Sequence, residues 1–133
     1  MHYLIPTIDI VALVPSPSVP SLSELIGDLV ATAAAVIAQA LAERGNGGLT
    51  AETKRVGEDL IMRLYSLQRA CVSEGVDFDA IARSQGKRVL AVRYAELRHE
   101  PDAPDIELTD AMLSEMVSWP LDLVTKIARS WLN

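Results

Sequence analysis

The stretch that decides the fold is LSELIGDLVATAAAVIAQALAER, residues 22–44. Its larger apolar side chains recur three and four positions apart, which is the spacing of one face of an α-helix. That face is predicted to be buried and consists of Leu22, Leu25, Ile26, Leu29, Ala33, Val36, Ile37 and Ala40. Alanines widen the apolar surface beyond this stripe, so neighbouring helices can approach closely. The sequence therefore predicts a helix that is central to the fold or lies at an oligomer interface.

The composition agrees with an all-α fold. The chain has 133 residues, of which 50% are apolar and only 5% aromatic. This is the length of a single domain, and a core of Ala, Leu, Val and Ile favours packed helices over a β-sandwich. We therefore expect residues 22–133 to form one helical domain, a small bundle of four to five helices. Residues 1–21 are expected to form an extended apolar arm and a proline-rich linker.

The arm, YLIPTIDIVALV at residues 3–14, is rich in aliphatic and β-branched side chains. Pro6 within it favours an edge strand or a plain extended segment. The linker PSPSVPS, residues 15–21, contains three prolines and should be stiff. We expect the arm to lie either on its own domain or on a neighbouring subunit. It has no Lys or Arg before its apolar run, and Pro6 and Asp9 interrupt that run, so a signal peptide is not expected.

Capping residues mark the second and third helices. GNGG at 45–48 should end the first helix, and Thr50 should cap the second. The inward face of the second helix is predicted to be Leu60, Ile61, Leu64, Leu67 and Cys71. Gly75 is placed to stop it, and Asp77 to cap a third helix with Phe78, Ile81 and Ala82 facing inward.

The last third of the chain is also predicted to be helical. Residues 87–97 favour a continued helix with Val89, Leu90 and Leu97 inward, although RVLAVRY at 88–94 also partly alternates like a strand. HEPDAPDI at 99–106 is expected to be a loop. Thr109, between Leu108 and Leu113, should open the next helix. Pro120 is predicted to break or kink it, leaving a last helix at 120–132 that buries Leu121, Val124, Ile127 or Ala128, and Trp131.

Charge and cysteine content narrow the function. The net charge of −6 argues against sequence-independent binding of nucleic acid. The single cysteine, Cys71, excludes an internal disulfide and fits a reducing cytoplasm. The uncharged run at 29–42 would rise only about 21 Å as a helix, less than the roughly 30 Å hydrocarbon core of a membrane. We therefore expect a cytoplasmic protein with no nucleic-acid or membrane partner.

Few residues suggest chemistry on their own. Glu96 and His99 have the Glu-x-x-His spacing of carboxylate-bridged di-metal bundles, but such sites need a second motif and two further glutamates. An exposed Glu–His pair is the expected interpretation. The acids Asp102, Asp105 and Glu107 could add to a hard-cation site, although a soluble loop is the simpler interpretation. No nucleophile elbow or phosphate-binding glycine loop is present in the sequence.

The segment GVDFDAIARSQGKRVLAVRY, residues 75–94, resembles the closing segment of MazG-like all-α nucleoside triphosphate pyrophosphohydrolases. The matching residues are Gly75, Val76, Asp77, Ile81, Lys87 and Tyr94. The resemblance implies that acids from two helices hold Mg²⁺, which polarises the triphosphate and activates water. It implies Glu24, Asp28, Glu58 and Asp59 as metal ligands, and Asp28, Asp59, Lys87 and Tyr94 as catalytic residues. The acidic motifs are degenerate, because one expected acid falls at Met62.

Two functional hypotheses follow. The leading one is a non-catalytic helical protein–protein interaction module, such as an assembly subunit, an adaptor or an inhibitor. It would use no cofactor, and its partner would be another protein or a second copy in a homo-oligomer. The alternative is a Mg²⁺-dependent MazG-like pyrophosphohydrolase, active or inactive.

Overall fold

The computed structural model describes residues 21–97 and 108–132, the side chains of 131 and 132 excepted. These residues form four helices: α1 (Leu22–Gly45), α2 (Ala51–Ser73), α3 (Phe78–Leu97) and α4 (Asp110–Leu132). No strand occurs within these ranges, so the all-α bundle and the helical state of residues 87–97 are confirmed. The predicted arm, the linker up to residue 20, the 99–106 loop and the burial of Trp131 lie outside the described residues.

Helix α1 is the centre of the bundle. It packs against all three other helices, most extensively against α3. Two glycines allow this close approach, because a Cβ atom at Gly27 would lie 2.7 Å from the Cβ of Gln85. A Cβ atom at Gly86 would lie 2.5 Å from Cγ1 of Val30. The predicted central position of α1 is therefore confirmed.

The face that α1 buries differs in part from the predicted one. Leu22 and Leu25 are 44% and 45% exposed, so their predicted burial is wrong. Ile26 and Ala33 are buried as predicted, and the other buried positions are Gly27, Val30, Ala31 and Ala34. The physical reason is size: α3 comes closest along the side that carries glycine and alanine. The side of α1 that carries Leu22 and Leu25 is more hydrophobic, but its leucine side chains are too bulky for such a close approach.

Helices α2 and α3 bury largely the predicted side chains. Leu60, Ile61, Leu64, Cys71, Phe78, Ala82 and Leu90 are all buried. Tyr65 is buried as well, which the pattern did not predict. Leu67, Ile81 and Val89 pack partly buried against the core. Leu97, predicted to face inward, is 49% exposed because it is the last residue of its helix.

The predicted caps are confirmed. The backbone N–H groups of Thr53, Ala80 and Met112 donate to the side-chain oxygens of Thr50, Asp77 and Thr109, at 3.2, 3.1 and 3.2 Å. Gly75 ends α2 at φ +72°, a left-handed conformation that favours glycine. The N–H of Val76 then donates to the carbonyl of Cys71 at 2.8 Å, which completes a Schellman-type helix end.

Pro120 does not divide the last helix. Helix α4 runs without interruption from Asp110 to Leu132 with Pro120 inside it, so the predicted separate helix at 120–132 is wrong. Proline removes one backbone hydrogen bond at this point. Its ring is fully buried in the core, and this packing compensates for the missing bond. Leu121 and Val124 are buried as predicted, and Ile127 and Ala128 pack against the core.

Candidate binding groove

Three of the four acids suggested by the pyrophosphohydrolase resemblance have local partners in the bundle. Asp28 on α1 is paired with Arg93 of α3, and Arg93 also donates to the hydroxyl of Thr32 at 2.8 Å. Asp59 lies 3.0 Å from Nε of Arg63, one turn along α2. Glu24 belongs to the cap of α1, since its N–H donates to Oγ of Ser21 at 3.2 Å.

These acids do not converge. Among the described residues, no group of three or more His, Cys, Asp or Glu side chains is placed to hold a metal ion. A two-metal phosphotransfer site needs such a cluster of carboxylates. No catalytic step is therefore assigned to these acids, and the magnesium site that the resemblance implies stays a prediction. His99, Asp102, Asp105 and Glu107 lie outside the described residues.

The basic residues of α3 are also held by neighbours. Lys87 reaches across to α4, where its Nζ lies 2.5 Å from Asp110 Oδ1 and 3.4 Å from Ser114 Oγ. Arg83 pairs with Asp79 at 2.8 Å. Both cations line a cleft of about 410 Å³ between α3 and α4. Because each already has a carboxylate partner, this cleft offers little unpaired positive charge for a phosphate. Tyr94, the last residue of the resemblance, packs against the core.

A larger concave surface lies elsewhere, between α1, α2 and α4. It has a volume of about 740 Å³ and lies beside the C-terminal half of α1. Its walls are mainly aliphatic and come from all three helices: Val36, Ile37, Ala40, Ile61, Met62, Leu123 and Ile127. We call this surface the apolar groove. Its volume falls within the range of roughly 300–1,000 Å³ that is typical of ligand sites.

Three positively charged side chains line the apolar groove. Arg44 of α1, Lys54 of α2 and Lys126 of α4 lie at its edge, together with one acid, Glu58. In the described part of the chain, none of these three cations forms an ion pair. We call Arg44, Lys54 and Lys126 the cationic rim. An apolar floor with an unpaired cationic rim suits an apolar ligand that carries negative charge at its edge.

A hydrogen-bond network stiffens the end of α1 beside the groove. Glu43 accepts hydrogen bonds from Gln39, from Thr53 and from both the N–H and the hydroxyl of Thr50, at 2.8–3.1 Å. The pKa of Glu43 is lowered from its ordinary value to about 2, chiefly by the bond from the Thr50 backbone N–H and then by the Gln39 and Thr53 side chains. The network joins the end of α1 to the start of α2, and so fixes one wall of the groove relative to another.

Helix α1 is long and apolar enough, by length and composition, to cross a membrane. It has 24 residues, and 33% of its apolar 18-residue stretch is buried in the bundle. At about 1.5 Å per residue it is roughly 36 Å long, so length alone does not exclude a span. The central helix of a globular bundle passes the same test. The absence of a membrane partner therefore stays a prediction.

The apolar groove was not predicted from the sequence. The sequence pattern identified three of its lining residues as part of an apolar face, since Val36, Ile37 and Ala40 belong to the side of α1 that was predicted to be buried. Met62 and Leu123, by contrast, are 39% and 40% exposed and fall outside any predicted inward face. Only the packing of α2 and α4 on α1 brings these side chains together.

Comparison with known proteins gives no relative. No family model, no curated protein and no solved structure matches the chain. The MazG-like resemblance therefore stays a prediction. The function proposed next depends on the groove and its surroundings.

Proposed function

We propose that this chain is a non-catalytic helical interaction module that binds a protein segment in the apolar groove between α1, α2 and α4. The observation that carries the proposal is the groove itself, a cavity of about 740 Å³ with aliphatic walls from three helices. Proteins commonly recognise an apolar peptide, often a helix, by laying it into such a groove. The partner would be another protein or a second copy of this chain.

The exposed side chains support a binding role for this surface. Met62 of α2 and Leu123 of α4, which both line the groove, are 39% and 40% exposed. Apolar surface that is gathered in one concave place, with polar groups around it, is typical of protein interaction sites.

The cationic rim indicates the charge of the partner. The chain carries a net charge of −6, yet Arg44, Lys54 and Lys126 all line the groove. Complementary charge at the edge of an interface mainly sets orientation and association rate, and less the affinity. We therefore propose that the bound segment is apolar along one side and carries Asp or Glu near one end.

The experiment compares two glutamate substitutions on α2. Met62→Glu puts a charge in the groove, whereas Val72→Glu puts the same charge on the same helix at a site that is 71% exposed and outside the groove. Both positions are on the surface, so both variants should fold. Tagged full-length chains are used to isolate complexes from cells, and light scattering measures the mass of the purified proteins.

The proposal expects the wild-type chain and Val72→Glu to form the same complex or oligomer. Met62→Glu should lower the apparent affinity of that complex or oligomer at least tenfold, because binding would bury an unpaired carboxylate. A complex that survives Met62→Glu unchanged would contradict a role for the groove. A chain that is monomeric and captures nothing in any form would contradict the interaction function altogether.

A further inference from the structure

One side of α1, which carries Leu22, Leu25 and Leu29, continues into the apolar groove. An α-helix repeats its direction every 3.6 residues, so Leu22, Leu25, Leu29, Val36 and Ala40 all lie on one side of α1. Leu22 and Leu25 are about half exposed, and Val36 and Ala40 line the groove. The most hydrophobic side of the central helix is thus left partly without a partner within the described residues. It begins next to Ser21, where the first 20 residues of the chain join the bundle.

We propose that this side is covered by the chain's own N-terminal arm. Residues 10–14 would lie in the apolar groove of the same chain, with Asp9 directed at the cationic rim. The inference deepens the proposed function, on which it rests for the binding character of the groove. It adds an intramolecular occupant that a partner protein has to displace.

The length of the linker fits this placement. Residues 15–20 include two prolines after Pro15, and an extended chain of six residues spans roughly 19 Å at about 3.1 Å each. Val36 lies about 21 Å along α1 from Leu22, at about 1.5 Å per residue. The linker therefore delivers Val14 close to the start of the groove.

The position of the acid fits as well. Asp9 is five residues beyond Val14, about 17 Å further if extended at about 3.3 Å per residue. This places it roughly 36 Å along α1, compared with about 33 Å for Arg44. Asp9 is the one charged residue in the arm 3–14, and residues 10–14 are IVALV. Going back along the chain from the linker, the arm therefore presents its apolar segment first and its carboxylate second. Along α1, the groove likewise comes first and Arg44 of the cationic rim second.

Occupation by the same chain is favoured over occupation by a second copy. A tether gives its ligand the highest effective concentration when its length matches the distance to be spanned, as it does here. A second copy at micromolar concentration competes poorly with that. In addition, residues 1–21 contain no Lys or Arg that the cationic rim would repel.

Disulfide trapping in the full-length chain tests the proposal. One cysteine is placed in the arm by Val14→Cys, and a second in the groove by Met62→Cys. The matched control combines Val14→Cys with Val72→Cys, which lies on the same helix outside the groove. The native Cys71 is 2% exposed and is the same in both proteins. Mild oxidation at low micromolar protein is followed by non-reducing electrophoresis and mass mapping of the linked peptides.

The proposal expects an intramolecular 14–62 disulfide to form at least about tenfold faster than the 14–72 disulfide, because tethering raises the local concentration of the arm at the groove. Asp9→Lys should slow the 14–62 reaction several-fold and leave 14–72 unchanged. Equal rates for the two pairs would overturn the proposal. A 14–62 disulfide found mainly between two chains would also overturn it, in favour of exchange between copies.

The same proteins separate this inference from the proposed function. If the arm is linked to the groove but no variant captures a partner, the arm inference stands and the partner-binding function fails. If Met62→Glu loses a partner but the two disulfides form at equal rates, the function stands and the arm inference fails. If both hold, deleting residues 1–14 should increase partner binding several-fold, because the groove loses its tethered competitor.

Discussion

At the scale of single residues, Glu43 is the carboxylate that its surroundings alter most clearly. Four donor groups from Gln39, Thr50 and Thr53 surround its two oxygens and lower its pKa to about 2. Hydrogen bonds of this kind favour the ionised form. Since α1 and α2 meet here, the ionised form of Glu43 holds together two walls of the apolar groove.

The first prediction concerns Glu43→Gln. Because the pKa is lowered in the folded chain, Glu43 contributes its stabilisation fully above its ordinary pKa of 4.5 and loses it as the pH falls toward 2. The variant should therefore be less stable than the wild type at pH 7, and the difference should shrink between pH 4.5 and pH 2. Urea unfolding across that range measures it. Glu115→Gln, on the exposed side of α4, is the matched control for replacing a glutamate by glutamine.

The second prediction concerns Asp28, which the resemblance would make a metal ligand. Its pair with Arg93 is largely exposed, with side-chain exposures of 63% for Asp28 and 37% for Arg93. Exposed pairs contribute only about 0–1 kcal/mol to stability. Asp28→Asn should therefore change the free energy of unfolding by less than about 1 kcal/mol in urea titration. A loss above about 2 kcal/mol would show that this bridge between α1 and α3 matters far more than its exposure suggests.

At the scale of helices, close approach of α1 and α3 is the main packing event, and the third prediction tests it. Gly86→Ala would place a Cβ atom 2.5 Å from Cγ1 of Val30, a stiff and fully buried side chain. Overpacking costs about 1–3 kcal/mol, which outweighs the gain of up to about 1 kcal/mol from a better helix former. The variant should lose about 1–2 kcal/mol of unfolding free energy.

Gly57→Ala is the matched control for that substitution. Gly57 lies inside α2, and its Cβ atom would meet Cγ1 of Val36 at an ordinary 3.6 Å. Here only the helix propensity should count, so thermal unfolding should show a gain of about 0.5–1 kcal/mol. If both alanines stabilise the chain, α1 and α3 are less closely packed than described.

The helix ends could be predicted from the sequence because caps are local. Thr50, Gly75, Asp77 and Thr109 act through neighbours within a few positions, so the pattern alone was sufficient. The buried side of α1 could not be predicted in the same way, because that helix is apolar on several sides. The buried side of α1 is set by its contact with Gly86 of α3, which lies far along the chain. That close contact accepts small residues of α1 more easily than leucines.

Pro120 and the apolar groove show the same limit. Local rules make proline a helix breaker, yet the core around Pro120 compensates for the lost hydrogen bond and α4 continues. In the sequence, Met62 and Leu123 lie outside the predicted inward faces of their helices. The packing of α2 and α4 brings both residues to one cavity. Both features depend on contacts between helices, which spacing along one helix does not contain.

At the scale of the whole molecule, three of the four candidate acids lie away from the apolar groove. Glu24, Asp28 and Asp59 belong to a cap or to ion pairs with arginine, whereas the apolar side chains gather between α1, α2 and α4. We therefore predict that the purified chain with Mg²⁺ releases no pyrophosphate from common or modified nucleoside triphosphates above the buffer control. Release that Asp59→Asn abolishes would contradict this and would favour the MazG-like alternative.

The apolar groove as a protein-binding surface is tested most directly by site-specific photocrosslinking in cells. A photoreactive phenylalanine analogue is placed at Met62 in one full-length chain and at Val72 in another, and mass spectrometry identifies the linked peptides. The account predicts that position 62 links to an apolar protein segment, from a partner or from residues 9–14, and that position 72 yields only background. Equal yields at the two positions, or none at position 62, would contradict it.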